Sequence, residues 1–372
     1  MKIKNVTHHI LADYQGEKLT DYAGDPCELR DKNPQMFNNY VAFCCLLSHP
    51  DGGLYCGLTR YNGDVFYRFD VHARRFESLG YQKIGETFEC KIHRALTLSS
   101  DGVIYGATAC LHWENHRLAA PGGAIFRYDP KSHQLAKLAV PVAHDYIQTI
   151  TLDEKRQLIY GQTYPVFKFF VYHLADGRVD NFDFTGSISH ISAIDDQGGF
   201  WSTWNGTNHW LFRYDPGQGR IKWFRHGLPN AKADANIMYP NAGPIDSMVN
   251  GGDGWLYIGT CGGSLCRIHA ESARVEYLGH PAPTRRMPGL KNFREDLLIG
   301  CCGDEDGGCL FTYHKKHKHF EVLGPIIDSR TGLSLYRTHD LEIGSNGHIF
   351  IGETDVPNRS GYLWEIELEN AL

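Results

Sequence analysis

Residues 91–130, KIHRALTLSSDGVIYGATACLHWENHRLAAPGGAIFRYDP, contain the pattern that decides the fold. An apolar strand opened by His93 runs to a turn at Asp101–Gly102, and a second strand passes through Ile104–Tyr105. A long polar loop follows, and a further strand ends in FRYD at residues 126–129. Apolar and aromatic runs that are bounded by turn residues are typical of antiparallel strands. We therefore interpret the stretch as one four-stranded unit.

The second strand of this unit recurs along the whole chain as a turn residue or glycine followed by an apolar, aromatic and glycine run. Its seven copies are DGGLYCG (51–57), DGVIYG (101–106), RQLIYG (156–161), QGGFW (197–201), DGWLYIG (253–259), EDLLIG (295–300) and NGHIFIG (346–352). The third strand recurs in phase as VFYRFD (65–70), AIFRYD (124–129), FFVYHL (169–174), LFRYDP (211–216), LCRIHA (265–270), LFTYHK (310–315) and LWEIEL (363–368). A spacing of roughly 40 to 55 residues is typical of propeller blades.

A fourth strand follows most units, as in RRFESLG at 74–80 and RVEYLG at 274–279. The last unit has no room for one after Leu368, and Ile3–Leu11 can supply it by pairing into the last blade, which removes an exposed edge. We therefore predict an all-β chain in which residues 1–372 form a single seven-bladed β-propeller of four-stranded antiparallel blades, closed by the N-terminal strand. Two stacked β-sandwiches are the alternative, which the single in-phase repeat disfavours.

Composition limits the partners that the chain can have. The formal net charge is −6, and the absence of long Lys or Arg blocks argues against nucleic acid or an anionic membrane. The N-terminus lacks the continuous apolar segment of a signal peptide, and no run of about 18 apolar residues occurs. These features predict a cytoplasmic chain, or a secreted or periplasmic one that is numbered after removal of a signal peptide. The sequence gives no indication of oligomeric state.

Polar residues are concentrated on the strands expected to be innermost. In a propeller the first strand of each blade lines the central channel, and ligand pockets form at its mouth. The polar residues on these strands are His93, Arg94, His144, Tyr146, Gln148, His190, Asp246, Lys291, Arg294, Arg337, His339 and Asp340. Because a desolvated polar group without a partner costs about 1–3 kcal/mol, this convergence predicts either internal pairing or a bound ligand.

Several segments carry a resemblance to a known family. They are KIH at 91–93 with DGVIYGAT at 101–108, a His about one strand later, YIQTITLDEKRQLIYGQTYP at 146–165, and THDLEIGSNGHIFIGETD at 338–355. The pattern resembles the seven-bladed propeller lyases that cleave uronic-acid glycans, namely the ulvan lyases and rhamnose–glucuronate lyases, and the related propeller glycosidases. The two His at this spacing and the Tyr in the next blade are its more specific part.

The resemblance implies a polysaccharide lyase that cleaves an anionic oligosaccharide by β-elimination at the channel mouth. Such an enzyme needs a base for the C5 proton, a cation or donor for the carboxylate, and an acid for the leaving oxygen. The resemblance places His93 and His112 as base and carboxylate partner. It places Tyr146 as acid or second base, with Tyr164 in reserve for the tyrosine role. The predicted reaction requires no cofactor.

The chain departs from the family at one position. The family usually has an Arg after the Tyr to hold the carboxylate, whereas the matching place here offers Gln162, Tyr164 and Lys168. We expect Arg94, Lys168 or Arg337 to substitute. The predicted substrate-binding residues are Arg94, His144, Lys168, His190, Arg337 and His339.

Two other functions fit the same residues. A glycoside hydrolase uses two carboxyl groups that flank the scissile bond, and the candidates are Asp246, Asp340, Glu353 and Asp355, of which the last two also suit a turn and strand end. A non-catalytic carbohydrate-binding propeller has a polar channel without any proton transfer. A channel that is lined by His but lacks a Tyr within hydrogen-bond reach would favour this third function.

Cysteines are concentrated in the fifth and sixth units, at Cys261, Cys266, Cys301, Cys302 and Cys309. Their spacing differs from the two-residue knuckle of a structural zinc site. Buried thiols are therefore the favoured interpretation, with zinc bound by some of them and a nearby His, or disulfides, as the alternatives. Cys261 and Cys266 are expected to face each other across a hairpin. The acidic loop at 304–306 is rich enough in oxygen for calcium, although a solvated turn is the simpler interpretation.

Overall fold

The computed structural model describes residues 1–18, 26–109, 117–229, 244–283, 285–305 and 307–369. Within these residues, 28 strands form seven antiparallel sheets of four strands each. In six sheets the strand order follows the chain, and in the seventh the first strand of the chain joins the last three. The prediction of an all-β propeller with seven four-stranded blades is therefore confirmed.

The blades are numbered in chain order after the N-terminal strand β1 (Lys2–His9). Blades 1 to 3 contain β2 (Ala42–Ser48), β3 (Gly53–Thr59), β4 (Phe66–Asp70), β5 (Arg75–Ser78), β6 (Leu96–Leu98), β7 (Ile104–Ala107), β8 (Ile125–Asp129), β9 (Gln134–Ala139), β10 (Tyr146–Asp153), β11 (Leu158–Tyr164), β12 (Lys168–His173) and β13 (Val179–Phe184). Blades 4 and 5 contain β14 (Ala193–Ile194), β15 (Phe200–Trp204), β16 (Trp210–Asp215), β17 (Arg220–Gly227), β18 (Ile245–Asn250), β19 (Trp255–Thr260), β20 (Leu265–His269) and β21 (Val275–Gly279). Blades 6 and 7 contain β22 (Gly289–Arg294), β23 (Leu297–Cys302), β24 (Cys309–His314), β25 (His319–Pro325), β26 (Thr338–Ile343), β27 (Ile349–Glu353) and β28 (Leu363–Glu369).

Two short helices, α1 (Pro26–Lys32) and α2 (Pro34–Asn39), precede blade 1. Asn33 caps α2, since its side-chain oxygen accepts a hydrogen bond from the Met36 amide at 2.9 Å, as N-cap residues commonly do. No helix in the described part of the chain is long and apolar enough to cross a membrane.

The glycine of the repeated second-strand motif has a packing reason. A Cβ atom on Gly106 would lie 2.2 Å from the ring of Phe126 on the neighbouring strand, well inside van der Waals contact. In blade 3 a Cβ on Gly161 would lie 2.1 Å from the ring of Phe170. In blades 2, 3 and 6 the third-strand aromatic therefore packs directly on the bare backbone of the second strand, so the two motifs form one contact there.

Burial falls from the middle of each blade to its outer edge. All seven residues of β3 are buried, whereas β9 alternates exposed and half-buried side chains, as expected for an outer strand with one solvated face. Aromatic rings join adjacent blades, with centroid distances of 5.3 Å between Phe66 and Phe126 and 4.9 Å between Phe169 and Phe200. The apolar core therefore lies between the blades.

The N-terminal strand closes the ring, as the sequence predicted. β1 pairs antiparallel with β28 in a register that runs from Lys2 opposite Glu369 to His9 opposite Leu363. Val6 is 2% exposed and belongs to the apolar core between blades 6 and 7. Without β1, the hydrogen-bonding edge of β28 would be open to other strands.

A buried carboxylate reinforces this closure. Glu365 on β28 accepts from His9 of β1 at 2.8 Å and from His348 at 2.7 Å. Arg74 in blade 1 lies 3.2 Å from the same carboxylate. One side chain thus joins the closing strand, its own blade and the next blade of the ring.

Two cavities lie one after the other along the innermost strands. The larger, about 350 Å³, is lined by residues near the starts of these strands and by Asp304 and Asp355, which follow the second strands of blades 6 and 7. The smaller, about 170 Å³, is lined by residues further along them, including Leu96, Ser192 and Asp340. Polar groups are more abundant in the larger cavity, which is therefore the candidate functional site.

Candidate functional site

Three histidines from three blades meet in the larger cavity. His93 precedes β6 in blade 2, His190 precedes β14 in blade 4, and His339 lies on β26 in blade 7. The ring centroid of His93 lies 4.9 Å from that of His339 and 5.8 Å from that of His190, with edge-to-face geometry in both pairs. All three side chains are buried.

Hydrogen bonds fix the tautomers of these rings. His93 Nδ1 lies 2.8 Å from the Gln148 carbonyl oxygen, and His339 Nδ1 lies 2.9 Å from the Cys44 carbonyl oxygen. Because a carbonyl only accepts, each Nδ1 carries a hydrogen, and each neutral ring keeps its lone pair on Nε2. His190 Nδ1 donates to an acceptor too, the Asp246 carboxylate at 3.1 Å.

The surroundings keep the three rings uncharged. Burial, followed by the charge of Lys91, lowers the pKa of His93 well below its ordinary value. Burial and then Arg94 lower the pKa of His339 in the same way. Burial lowers the pKa of His190 to about 4, although the hydrogen bond with Asp246 acts in the opposite direction. At neutral pH the rings therefore offer acceptor nitrogens and no positive charge.

Asp246 is the centre of a buried charge network behind the histidines. Arg286 donates to both of its oxygens, from Nε at 3.1 Å and from Nη2 at 2.9 Å. Arg94 lies 3.6 Å from the same carboxylate and also donates to the backbone carbonyls of Asp246 and His339. Burial raises the pKa of Asp246, but the Arg286 guanidinium outweighs burial and holds that pKa far below its ordinary value. A carboxylate that stays ionised can hold the surrounding arginines by ion pairs but is unsuited to act as a general acid.

Arg337 connects the rim of the cavity to three carboxylates. Its guanidinium lies 2.5 Å from Asp304, 2.9 Å from Glu305 and 3.5 Å from Asp355. Burial raises the pKa of Asp355, but Lys18 and further cations outweigh it and hold that pKa well below its ordinary value. The two cavity carboxylates, Asp304 and Asp355, are therefore partners of Arg337.

Tyr146 lines the same cavity as His93. It is the first residue of β10, and Tyr164 lies directly opposite it on β11 with ring centroids 4.9 Å apart. Tyr164 packs beside Tyr146 and is absent from the cavity lining in the described part of the chain. The structure thus brings the predicted base and the predicted acid to one cavity, with the reserve tyrosine next to them.

Other predicted residues lie elsewhere. Lys168 is on the third strand of blade 3, with its ammonium 4.0 Å from the exposed Asp183. His144 Nδ1 donates to the Ala120 carbonyl at 2.7 Å, which holds two loops together. Arg94 lines the smaller cavity. The structure does not bring these three to the larger cavity. His112 lies outside the described residues, and its role stays a prediction.

The remaining carboxylates of the hydrolase alternative also have hydrogen-bond partners within the protein. Asp340 lines the smaller cavity, where it accepts from the Leu46 amide at 2.8 Å, and burial raises its pKa. Glu353 is fully buried and receives two hydrogen bonds from Arg359, at 2.8 and 2.9 Å. Neither side chain lines the larger cavity, so these two do not form a pair across it.

The cysteines differ in part from expectation. Cys266 on β20 lies opposite Ile258 of β19. Cys261 follows the end of β19 and is not paired with a residue of β20. The expectation that Cys261 and Cys266 face each other across the hairpin is therefore wrong. Cys302 and Cys309 are the pair that lies directly opposite, on β23 and β24. Nine cysteines whose side chains the structure describes, including the five of blades 5 and 6, are present as thiols and not as disulfides.

One cluster has metal-ligand chemistry. Ligand atoms of His190, Asp246 and Cys261 lie within 4.8 Å of one another. Asp246 already binds the Arg286 guanidinium through both oxygens, so a cation that bound here would compete with a buried arginine. In the acidic loop, Asp304 and Glu305 pair with Arg337, and residue 306 lies outside the described part.

Three cavity residues were missed from the sequence. Arg286 belongs to a basic pair, Arg285–Arg286, shortly before the innermost strand β22, and such a pair is a usable signal. Lys91 is two positions before His93, and in an extended chain such residues lie on one side. Asp304 belonged to a loop considered only for calcium or solvent. Nothing in the sequence pattern marks Asp304 as a partner of Arg337.

Comparisons with known proteins show the fold and no closer relationship. No protein-family model matches the chain, and no curated protein matches it. The extracellular domains of the two-component systems BT4673 and BT3049 of B. thetaiotaomicron match with TM-scores of 0.61 and 0.59 at 14% identity, covering 96% and 95% of this chain. The chain spans 40% and 42% of the length of those structures. The WD40 repeats of RRP9 match with a TM-score of 0.61 at 12% identity, over 98% of this chain and 100% of that one. The resemblance to propeller lyases is therefore supported at the level of the seven-bladed fold.

Proposed function

We propose that the larger cavity binds an acidic sugar and that the chain cleaves the corresponding glycan by β-elimination. The observation that carries the proposal is the pairing of acceptor imidazoles with cations in one cavity, since His93, His190 and His339 line it together with Lys91. A sugar acid matches both groups. Its hydroxyls donate to acceptor nitrogens, and its carboxylate pairs with a cation.

In the proposed reaction His93 is the base and Tyr146 is the acid, and both line the larger cavity. His93 Nε2 takes the C5 proton, the electrons of that C–H bond form the C4–C5 double bond, and the bond from C4 to the leaving oxygen breaks. Tyr146 gives its phenolic proton to that oxygen. The proton on His93 then returns to Tyr146 through solvent, so the cycle consumes no other reactant. General acid and base groups of this kind contribute about 10² to 10⁴-fold each.

The low basicity of His93 is compatible with this role once the substrate is bound. Burial and the neighbouring Lys91, His190 and Arg94 together lower the pKa of His93. A bound carboxylate offsets the positive charges, which raises the pKa of the imidazole towards the range of an effective base. The substrate therefore activates the base that deprotonates it.

The test is the appearance of ultraviolet absorbance during incubation with a panel of uronate glycans, because elimination creates a conjugated double bond and hydrolysis does not. His93→Ala and Tyr146→Phe should each lower turnover at least about 10²-fold, with melting temperature nearly unchanged. The matched controls are His72→Ala and Tyr277→Phe, which change exposed residues. Full turnover in both cavity variants would overturn the assignment of the site.

A non-catalytic acidic-sugar receptor is the second candidate. The specific observation in its favour is the strongly lowered pKa of His93, which makes the free protein a poor base. Two of the similar structures are described as extracellular domains of two-component systems. Calorimetric binding of a uronate oligosaccharide without any new absorbance would favour the receptor over the lyase.

A further inference from the structure

Four cations surround the three histidines, and three of them are already paired. Arg94 is 2% exposed and donates to two backbone carbonyls. Arg286 is 1% exposed and binds both oxygens of Asp246. Arg94 Nε and Arg286 Nη1 have no hydrogen-bond partner among the described residues. Both guanidiniums nevertheless lie within 4.0 Å of the Asp246 carboxylate, so their charge is already shared with a buried anion.

Arg337 is paired as well, although it reaches the cavity. Asp304, Glu305 and Asp355 all lie within ion-pair distance of its guanidinium. Arg337 and Lys18, which contacts Asp355, thus share three carboxylates, and the charge of Lys91 also acts on Asp355. Because carboxylates within 4.0 Å already pair with its charge, Arg337 is a weaker partner for a second anion than Lys91.

Lys91 is the remaining cation of the cavity lining. Among the residues that the structure describes, no carboxylate oxygen lies within 4.0 Å of its ammonium. The side chain is half-buried, so its charge is only partly solvated. Its positive charge acts on the cavity, because it contributes to the lowered pKa of both His93 and His339.

The backbone at Lys91 is fixed on both sides. Its carbonyl accepts from the Ala109 amide at 2.7 Å, and the next amide, of Ile92, donates to the Leu58 carbonyl at 3.0 Å. The residue therefore bridges blades 1 and 2, and the bridges hold it in a set position relative to His93. A cation placed this way binds with less loss of backbone freedom than one on a mobile loop.

We infer that Lys91 is the cation that binds the substrate carboxylate and sets the preference for acidic over uncharged sugars. This inference rests on the proposed function and names the residue that performs the role for which the sequence had suggested Arg94, Lys168 or Arg337. Lys91 also places the carboxylate beside His93. The group that makes the C5 proton acidic and the group that removes it are therefore two residues apart in the chain.

The experiment compares binding of a glucuronate disaccharide and its methyl ester, measured by calorimetry on the full chain. Hydrogen bonds to charged groups correspond to about 10 to 100-fold in affinity, so the parent should prefer the acid by at least about tenfold. Lys91→Gln should abolish that preference while leaving affinity for the ester unchanged. Lys91→Arg should retain most of it.

Lys155→Gln is the matched control, since Lys155 is exposed and follows the end of β10, whereas the cavity residue Tyr146 begins that strand, and it should bind like the parent. If the parent prefers the acid and Lys91→Gln keeps the full preference with an unchanged melting temperature, the assignment of Lys91 is wrong and the proposed function stands. If the parent shows no preference for the acid, the proposed function fails and this inference fails with it.

Discussion

Replacing Glu365 by Gln should weaken the closure of the propeller in a pH-dependent way. The carboxylate is 3% exposed and joins β1, β28 and blade 1 through His9, His348 and Arg74. Burial raises the pKa of Glu365, but the hydrogen bonds from His9 and His348 outweigh burial. The net effect lowers the pKa from an ordinary 4.5 to about 2. Folding therefore favours the ionised form, and Gln mimics the neutral form.

The magnitude follows from this shift in pKa. A lowering from 4.5 to about 2 corresponds to about 3 kcal/mol of unfolding free energy at pH 7. Because the folded pKa is the lower one, the contribution is complete above the unfolded pKa and is lost as the pH falls through the folded pKa. The parent should lose about 1 kcal/mol of this contribution by pH 4 and about 2 kcal/mol by pH 3.

Urea denaturation of the parent and of Glu365→Gln at several pH values between 7 and 3 measures this difference. Glu367→Gln is the matched control, because Glu367 lies on the same strand but pairs with the exposed Lys4. Exposed positions change stability by less than about 0.5 kcal/mol. A difference between parent and Glu365→Gln that stays constant as the pH falls, or an equal loss in Glu367→Gln, would refute the reasoning.

Three further predictions follow from buried groups. Glu353→Gln should lower the free energy of unfolding by about 3–5 kcal/mol, because Arg359 loses its carboxylate partner. Turnover per folded molecule should stay unchanged. A variant that folds but is inactive would restore the hydrolase alternative. Asp246→Asn should cost a similar amount, measured by urea denaturation, since two guanidiniums lose their counter-ion; unchanged stability would contradict the network. Thiol titration of the unfolded protein without reductant should count all eleven cysteines, with no stoichiometric zinc by elemental analysis, and one zinc per chain would overturn this.

The architecture was predictable because it repeats. Seven in-phase copies of two motifs specify the number of blades, and the missing fourth strand of the last unit points to β1 as its replacement. The positions of His93 and His339 in the channel follow from the same phase, since the first strand of every blade is innermost. These are properties that a local pattern encodes.

The charge pairing was not predictable from the same pattern. His93 and Arg94 are adjacent, and adjacent side chains of an extended segment point to opposite sides, so one lines the larger cavity and the other the smaller. Lys168 lies on a third strand, two strands away from the channel. Arg337 meets Asp304 and Glu305 across the boundary between blades 6 and 7, and such contacts depend on how neighbouring blades pack.

The pairing of β1 with β28 also constrains the order in which the chain can fold during synthesis. Lys2 is synthesised long before its partner Glu369. The blades between them can form sheets as they emerge, whereas β1 has no strand to pair with until blade 7 has been synthesised. Contacts this distant in sequence form slowly, and an incomplete chain exposes an unpaired strand that can associate with other chains. A ribosome that stalls in blade 7 therefore releases an open ring whose first strand is available to the wrong partner.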